Sequence, residues 1–421
     1  MDIELERDIM QKKNDIKIFF SLILWMLMPS VYLLVRMNIV SVNQIDINIL
    51  GQMEWFDLID EIITTAFITP LYYLLKNKDS RRNGCSFIVS FGVYFLFTIV
   101  LSLYIGNISA FMNAEYAEKY LFMQSISMLI AFIGVFVNLL FVIYEHYNFI
   151  ILFTGIKLLL LPLFDYLLIP VFQDLGASYS EIIVNTFIAV LSMIFVIKKN
   201  YISFAVCERD FLYLWAKIGS FSALQIFLDN FIYAVIVCRM VNAVSESGNY
   251  WVANNFIWGW LLVPITCLAQ IIQKNALKSI TFHNIWRYVC VIVSVWIFTV
   301  PFWKFFIHSI MGINNDKDIL NILYSLVPYY ICYIIAAMID AWFISKGKTV
   351  YLFINSIVVN IIYYGIMYIL FNIGIFTLNI YFVVHLFGLG MVLHMLVSIL
   401  LYFIDKNCLS EVLYDNSRRK I

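Results

Sequence analysis

The segment Thr349–Ile404 runs for 56 residues without an aspartate, glutamate, lysine or arginine. A helix crosses the hydrocarbon core of a bilayer with about 20 apolar residues. The segment is therefore too long for one crossing and suits two, broken near Asn372–Asn379. Two further charge-free runs, Asn83–Ala114 with 32 residues and Ser247–Gln273 with 27, each hold one crossing plus a short end. These runs are apolar all round. Membrane β-strands would alternate polar and apolar positions over about ten residues, so the backbone groups must be satisfied within helices. The whole chain agrees: 63% of its 421 residues are hydrophobic and only 13% are charged, against about 25% charged in a typical soluble domain.

Hydropathy predicts an all-α integral membrane protein with about twelve transmembrane helices. The expected spans are Ile16–Val35, Trp55–Leu75, Cys85–Ile105, Leu121–Tyr144, Phe149–Phe172 and Ser178–Ile197. Then follow Phe211–Cys238, Tyr250–Ile272, Val289–Ile310, Leu320–Phe343, Val350–Phe371 and Leu378–Phe403. Twenty of the 27 basic residues collect on one side of this arrangement. They include Lys12, Lys13, Arg81, Arg82, Lys198, Lys199, Lys274 and Lys346. Basic residues in short loops stay in the cytoplasm, so an even number of spans with both termini cytoplasmic is expected. The charged start, MDIELERDIMQKKND, is unlike a cleavable signal peptide, and the first span reads as an uncleaved anchor. The abundance of Ile, Asn, Lys and Tyr suits an AT-rich bacterial source and a multi-pass protein of the bacterial inner membrane.

Polar stretches divide the chain into a cytoplasmic N-terminus (1–15), a six-helix lobe (16–197), a cytoplasmic linker (198–210), a second six-helix lobe (211–404) and a cytoplasmic tail (405–421). The lobes share a weak likeness. Span one ends in YLLVRM (Tyr32–Met37) and span seven in AVIVCRM (Ala234–Met240). Each is followed by a polar external loop and an apolar span with a proline, Pro70 or Pro264, then by Lys-Asn at 76–77 or 274–275. A repeat of six-span halves would be parallel, related by an axis along the membrane normal.

Several function classes are excluded or unsupported. The net charge is zero, and nothing points to nucleic acid. The seven cysteines are scattered without a Cys-x-x-Cys pair, so neither a metal site nor a disulfide framework is indicated. No phosphate-binding Gly-x-x-x-x-Gly-Lys-Ser/Thr loop occurs. No cofactor and no obligatory protein partner are implied, and the chain does not read as an enzyme.

An acid inside a membrane span costs roughly 2.5–3.5 kcal/mol on insertion scales, and is by default a functional candidate. Asp229 stands mid-span in LQIFLDNFIYAVIV, with Gln225 one turn before it on the same face and Asn230 beside it. No basic residue lies three or four positions away, so this carboxylate is a candidate site for a coupling ion, a proton or Na⁺. Asp340 lies near the cytoplasmic end of span ten before Lys346, either as a second ion candidate or as an interfacial acid reaching water or lysine. Asp165 sits between Pro162 and Pro170, two turns after Lys157, as a structural partner or an ion-pathway group. Asp57, Asp60 and Glu61 crowd the start of span two, as solvated acids or a cation-attracting vestibule. Tyr233 and the span-eight residues Trp251, Asn254, Asn255 and Trp258 are candidates to line a substrate cavity by stacking and cation–π contact. The alternative for that cluster is an interfacial aromatic belt with an interhelical Asn bond. His385 and His394 are nine residues apart, on opposite sides of span twelve, and form no site by themselves.

Two segments carry a family resemblance. In LPLFDYLLIPVFQDLGASYSEIIVNT (Leu161–Thr186), an apolar run, an Asp and a Leu-Gly turn precede a helix of small residues. In Phe211–Asn275, Gly219 is followed ten residues later by Asp229. With six plus six spans, this resembles the multidrug and toxin extrusion (MATE) family, within the superfamily that also holds polysaccharide and lipid-linked oligosaccharide flippases. The resemblance implies a V-shaped pair of six-helix lobes, with Asp229 in a C-terminal cation site. The chain departs from the pattern in lacking an acid on span one, in Tyr179 and Glu181 within the small-residue run, and in the late position of Asp340.

The expected function is secondary active transport: a MATE-like antiporter coupled to Na⁺ or H⁺, exporting amphipathic or cationic organic solutes by alternating access. A flippase for a lipid-linked glycan or other lipid is the alternative. It would draw on Lys157, Lys217 and Lys304 within spans and on Arg36 and Arg239 at span ends. An integral-membrane transferase is a third reading, for which no tight catalytic constellation is present.

Overall fold

The computed structural model describes residues 2–43, 49, 53–111, 115–204, 207–233, 236, 240, 247–274, 282–310 and 316–418. Its described residues are mostly helical, with no strand among them. The helices are α1 (Asp2–Val42), α2 (Met53–Leu74), α3 (Ser80–Phe111), α4 (Glu118–Tyr144), α5 (Tyr147–Phe172) and α6 (Asp174–Lys198). They continue as α7 (Arg209–Ile232), α8 (Ser247–Phe256), α9 (Val263–Lys274), α10 (Phe282–Phe305) and α11 (Asp316–Ser345). The last are α12 (Val350–Ser356), α13 (Gly365–Asn372) and α14 (Ile380–Arg418). Ten helices are long and apolar enough to cross a membrane, and a bent pair makes an eleventh candidate. Helix α2, with Asp57, Asp60 and Glu61 in its first half, is not among the ten.

The span expected as one helix over Tyr250–Ile272 is broken. Helix α8 runs into a π-helical stretch, Ile257–Leu261, then turns by 43° before α9. The cause is local: Pro264 has no N–H to donate, and its ring displaces the carbonyl four residues back. Two further π-helical stretches follow, Phe306–Ile310 after α10 and Ile357–Tyr364 between α12 and α13. All three lie beyond residue 219.

The chain divides into two compact units, residues 1–219 and 220–421. In the first, α4 is the central helix, packed against α6, α3 and α2, while α5 joins α1 and α6. In the second, α11 is central, against α14, α9, α10 and α8. Leucines, isoleucines and aromatics on these two helices are enclosed, as at Phe132, Phe136, Leu323 and Ile334. Apolar side chains of α3, α5, α10 and α14 face outward, including Leu103, Leu159, Phe298 and Leu400. A soluble fold would not leave so much apolar surface uncovered, whereas hydrocarbon covers it in a bilayer.

The cysteines correct the sequence reading. Cys85, at the start of α3, is disulfide-bonded to Cys207, in the segment after α6, with Cα atoms 5.4 Å apart. They are 122 residues apart in the chain, and no short spacing signals the pair. The fold brings them together through backbone contact. Ser203 N–H donates to Ser80 O at 2.9 Å, and Asn83 Nδ2 donates to Tyr201 O at 2.8 Å. A side chain on Gly84 would collide with the Ser203 carbonyl, so glycine is needed where the segment crosses α3.

Candidate ion and substrate sites

In the first unit, Asp165 on α5 is fully buried and surrounded by donors. Tyr32 Oη donates to it at 2.8 Å, Arg36 Nε at 2.9 Å and Arg36 Nη2 at 3.2 Å, and Ser180 Oγ adds a fourth hydrogen bond. Arg36 also pairs with Glu181 and donates to Ala177 O at 3.2 Å, and its guanidinium lies 4.4 Å from the centre of the Tyr32 ring. Ser127 Oγ donates to Glu181 at 3.4 Å, and Asn185 Nδ2 donates to Ser127 at 3.1 Å. Asp165 thus pairs with Arg36 of α1, 129 residues away, and not with Lys157 on its own helix. Lys157 makes no hydrogen bond among the described residues, and Glu181 is the acid whose charge reaches it most strongly.

Local backbone makes this cluster possible. Helix α5 ends at Phe172, Gln173 takes a positive φ of 54°, and α6 starts immediately at Asp174. The first turn of α6 lies so close to α5 that a side chain at Gly176 would stand 2.5 Å from Leu168 O and 2.6 Å from Ile169 Cα. The Leu175-Gly176 pair in the sequence is the trace of this approach. It sets Ser180 and Glu181 beside Arg36.

The remaining acids of this unit differ. Asp60 is partly buried and accepts a hydrogen bond from Tyr94 Oη. Beside it lies a cavity of about 10 Å³, lined by Thr98 and Ser125 among others, with room for about one water molecule. Asp57 and Glu61 are exposed.

In the second unit, Asp229 on α7 has a different surrounding. Its Oδ1 accepts from Ser356 Oγ at 2.7 Å and from Asn360 Nδ2 at 2.6 Å, and its Oδ2 accepts from Gln225 Nε2 at 2.7 Å. All three donors are neutral, and no lysine or arginine among the described residues pairs with it. Ser356 ends α12, and Asn360 lies in the π-helical stretch that follows. The Gln225–Asp229 pairing follows from their four-residue spacing; the two partners from α12 and the π stretch are not readable from α7. Asn230, the next residue, is partly buried.

Asp340, on α11, pairs with a residue that sequence spacing had set aside. His394 Nε2 lies 2.8 Å from its Oδ2, and Ser398 Oγ donates to its Oδ1 at 3.0 Å. Asn355 Nδ2 donates to Ser398 Oγ at 2.7 Å. Asn355 and Ser356, consecutive in the chain, thus meet the surroundings of Asp340 and of Asp229 respectively.

The substrate-cavity candidates are partly united. Asn254 Nδ2 donates to Tyr233 Oη at 3.2 Å and Tyr330 Oη donates to Asn254 Oδ1 at 2.5 Å. Trp258 meets Tyr333 edge-on at 5.4 Å between ring centres, and Tyr233 lies 5.8 Å from Phe387. Tyr330, fully buried at the centre of this group, had no signal in sequence beyond its residue type. Asn255 is exposed and stands apart. Trp251 lies outside the described side chains.

Solved structures with the same architecture are MATE and MOP-superfamily transporters. One is a MOP-superfamily transporter from Pyrococcus furiosus, described as having a binding pocket of reversed polarity; it matches with a TM-score of 0.77 over 95% of this chain and 96% of its own, at 16% identity. A second is an outward-facing MATE multidrug-resistance transporter, with a TM-score of 0.75, 15% identity and coverage of 95% and 97%. A third is the Vibrio cholerae MATE transporter VcmN, at 0.74, 14% identity and the same coverage. The fold is that of the MATE transporters. The sequence itself matches no family model, and no curated protein matches it. The MATE fold thus extends here over nearly the whole chain at an identity too low to carry residue roles across.

Proposed function

We propose that this protein is a secondary active transporter of the bacterial inner membrane, with twelve spans and both termini cytoplasmic. It exchanges a cation held at Asp229 for an amphipathic or cationic organic solute by alternating access, and it is not an enzyme. One observation carries the reading. The buried acid of the first unit, Asp165, is neutralised by Arg36, whereas Asp229 is met by three neutral donors only. A carboxylate in a low-dielectric surround binds a cation or a proton strongly when no fixed positive charge satisfies it. Asp229 is partly exposed. The aromatic group around Tyr233, Trp258, Tyr330 and Tyr333 suits stacking and cation–π contact with a solute.

Binding of the cation and of the solute drives exchange only if each prefers a different conformation. The test is dye efflux from proteoliposomes under an imposed Na⁺ or H⁺ gradient, with wild type beside Asp229→Asn. Gradient-driven efflux that disappears in the variant supports the reading. Efflux that persists unchanged in the variant removes Asp229 from coupling.

A second reading, transport of a lipid-linked or otherwise anionic solute, draws on Lys157, which has no hydrogen-bonded partner among the described residues. Arg36 is committed to two carboxylates and is not available to a phosphate. Lys304 is mostly exposed and near Asp316. Lys217 is exposed on α7, and Arg239 lies outside the described residues. Among the described basic groups for that reading Lys157 is the one partly buried within its span, and a cationic or neutral cargo is the better match.

A further inference from the structure

In the first unit, the last turns of α3, the first turns of α4 and the start of α6 border a cavity of about 340 Å³. It takes no part in the sites described above. Ile105, Glu118, Lys119, Phe122, Met123 and Leu175 line it. Sites for small ligands occupy roughly 300–1,000 Å³. Ser102 also belongs to the lining and stands nine residues before the end of α3 at Phe111. At 1.5 Å per residue, that is roughly 13 Å along the helix. The cavity therefore runs from the helix ends, where a bilayer is polar, to the depth of its hydrocarbon. Beside it on α3, Leu103 is 77% exposed and Tyr104 56%, so its rim is open to lipid.

Two opposite charges stand at the helix ends. Glu118 opens α4 and Lys119 follows it, about 100° further round the helix. Both are exposed, and neither has an ion-pair partner among the described residues. The Glu118 carboxylate leans across to α3. A Cβ built on Gly106 would stand 3.3 Å from its Oε1 and 3.6 Å from its Oε2, so glycine leaves the room the carboxylate fills. Phe122 and Met123 lie one turn further along α4, beneath the two charges. An acid in a first turn complements the helix dipole. That accounts for an acid at 118, but not for its position over Gly106 or for the unpaired lysine beside it.

We propose that this cavity holds a zwitterionic phospholipid of the ethanolamine type. Its ammonium meets the Glu118 carboxylate, its phosphodiester meets Lys119, and an acyl chain lies along Ile105, Phe122, Met123 and Leu175. A primary ammonium donates hydrogen bonds to a carboxylate, whereas a quaternary ammonium has no N–H to donate. A choline lipid thus satisfies Lys119 but not Glu118. An anionic glycerol lipid brings no cation to Glu118 at all. No covalent bond changes. The inference rests on this cavity alone, and neither Asp229 nor the identity of the cargo enters it.

The experiment is native mass spectrometry of the purified full-length protein, titrated with palmitoyl-oleoyl phosphatidylethanolamine, phosphatidylcholine or phosphatidylglycerol. Wild type is expected to bind the ethanolamine lipid at least about tenfold more tightly than the choline lipid, the order of one charge-assisted hydrogen bond. Glu118→Gln should erase that preference, and Lys119→Met should weaken both lipids alike. Glu118→Asp, which keeps the charge but withdraws it from Gly106, should retain part of the preference. Size-exclusion profiles identify variants that have not folded. Equal binding of the ethanolamine and choline lipids by wild type would overturn the proposal, as would a preference that survives Glu118→Gln or tightest binding of the glycerol lipid. Displacement of the lipid by an equal concentration of free O-phosphoethanolamine would overturn the lipid assignment and give the cavity to a soluble zwitterion.

Discussion

Replacing Arg36 with methionine tests whether the first unit is held by its internal ion cluster. Methionine keeps the length and apolar stem of the side chain but removes the guanidinium that pairs with both Asp165 and Glu181. Asp165 is fully buried and Arg36 nearly so, so Asp165 does not recover its lost partner from water, whereas Glu181, 20% exposed, does so in part. Removing one member of a buried ion pair costs about 3–5 kcal/mol. For a unit of 219 residues, each kcal/mol lowers Tm by about 2–4 °C. A fall of roughly 6–20 °C is therefore expected, read by fluorescence-detected size-exclusion chromatography of heated, detergent-solubilised protein. The triple variant Arg36→Met, Asp165→Asn, Glu181→Gln removes the stranded charges as well, and should recover more than half of that loss. A shift under about 2 °C for Arg36→Met would refute the reasoning. So would a triple variant no more stable than the single one, because the loss would then come from packing and not from uncompensated charge.

Three other outcomes follow from the structure. Gly176→Ala puts a methyl group within 2.7 Å of the α5 backbone, so α6 must shift; a drop in Tm comparable to that of Arg36→Met is expected, with weakened Arg36–Glu181 pairing. Tyr330→Phe leaves the buried Asn254 Oδ1 without its 2.5 Å donor; a stability loss of about 1–3 kcal/mol should accompany weaker binding of an aromatic dye in a fluorescence titration. His146, in the turn between α4 and α5, is held below the ordinary value of 6.5 by burial, with Lys199 and Lys78 adding to it. A histidine depressed in the folded state binds fewer protons there than when unfolded, so its contribution to stability is present above about pH 6.5 and is lost as pH falls through the folded value. Thermal unfolding of His146→Asn should show a smaller decrease between pH 7 and pH 5 than wild type.

Ten of the apolar helices were legible as membrane spans because hydropathy reports directly on the solvent a helix meets. The charge-free run Thr349–Ile404 contains the break between α13 and α14, at Asn372 and Ile380, where the sequence placed it. Polar partnerships were legible only along one helix. Gln225 and Asp229 share a turn and bond to each other; Arg36 and Asp165 are 129 residues apart and nothing in either local sequence names the other. The same distance hid Asp340 from His394. Considering His394 only against His385 on its own helix missed the partner on α11. The bend after α8 had a local signal in Pro264, but the run is apolar throughout and hydropathy does not register backbone geometry. The disulfide between Cys85 and Cys207 left no mark because scattered cysteines become a pair only through tertiary contact.

The π-helical stretch Ile357–Tyr364 bears on how this chain tolerates change in its length. A π-turn holds more residues than an α-turn of the same rise, so this segment stores surplus chain in the middle of a span. Deleting Val358 would let the stretch tighten into α-helix while α12 and α13 keep their phase and their packing against the rest of the unit. Elsewhere in a span the same deletion would rotate every following side chain by about 100°. Here the cost falls on Asn360, which would be drawn away from the Asp229 carboxylate it meets at 2.6 Å. The span is thus expected to lose a residue and still insert and fold, with the loss confined to the geometry around Asp229.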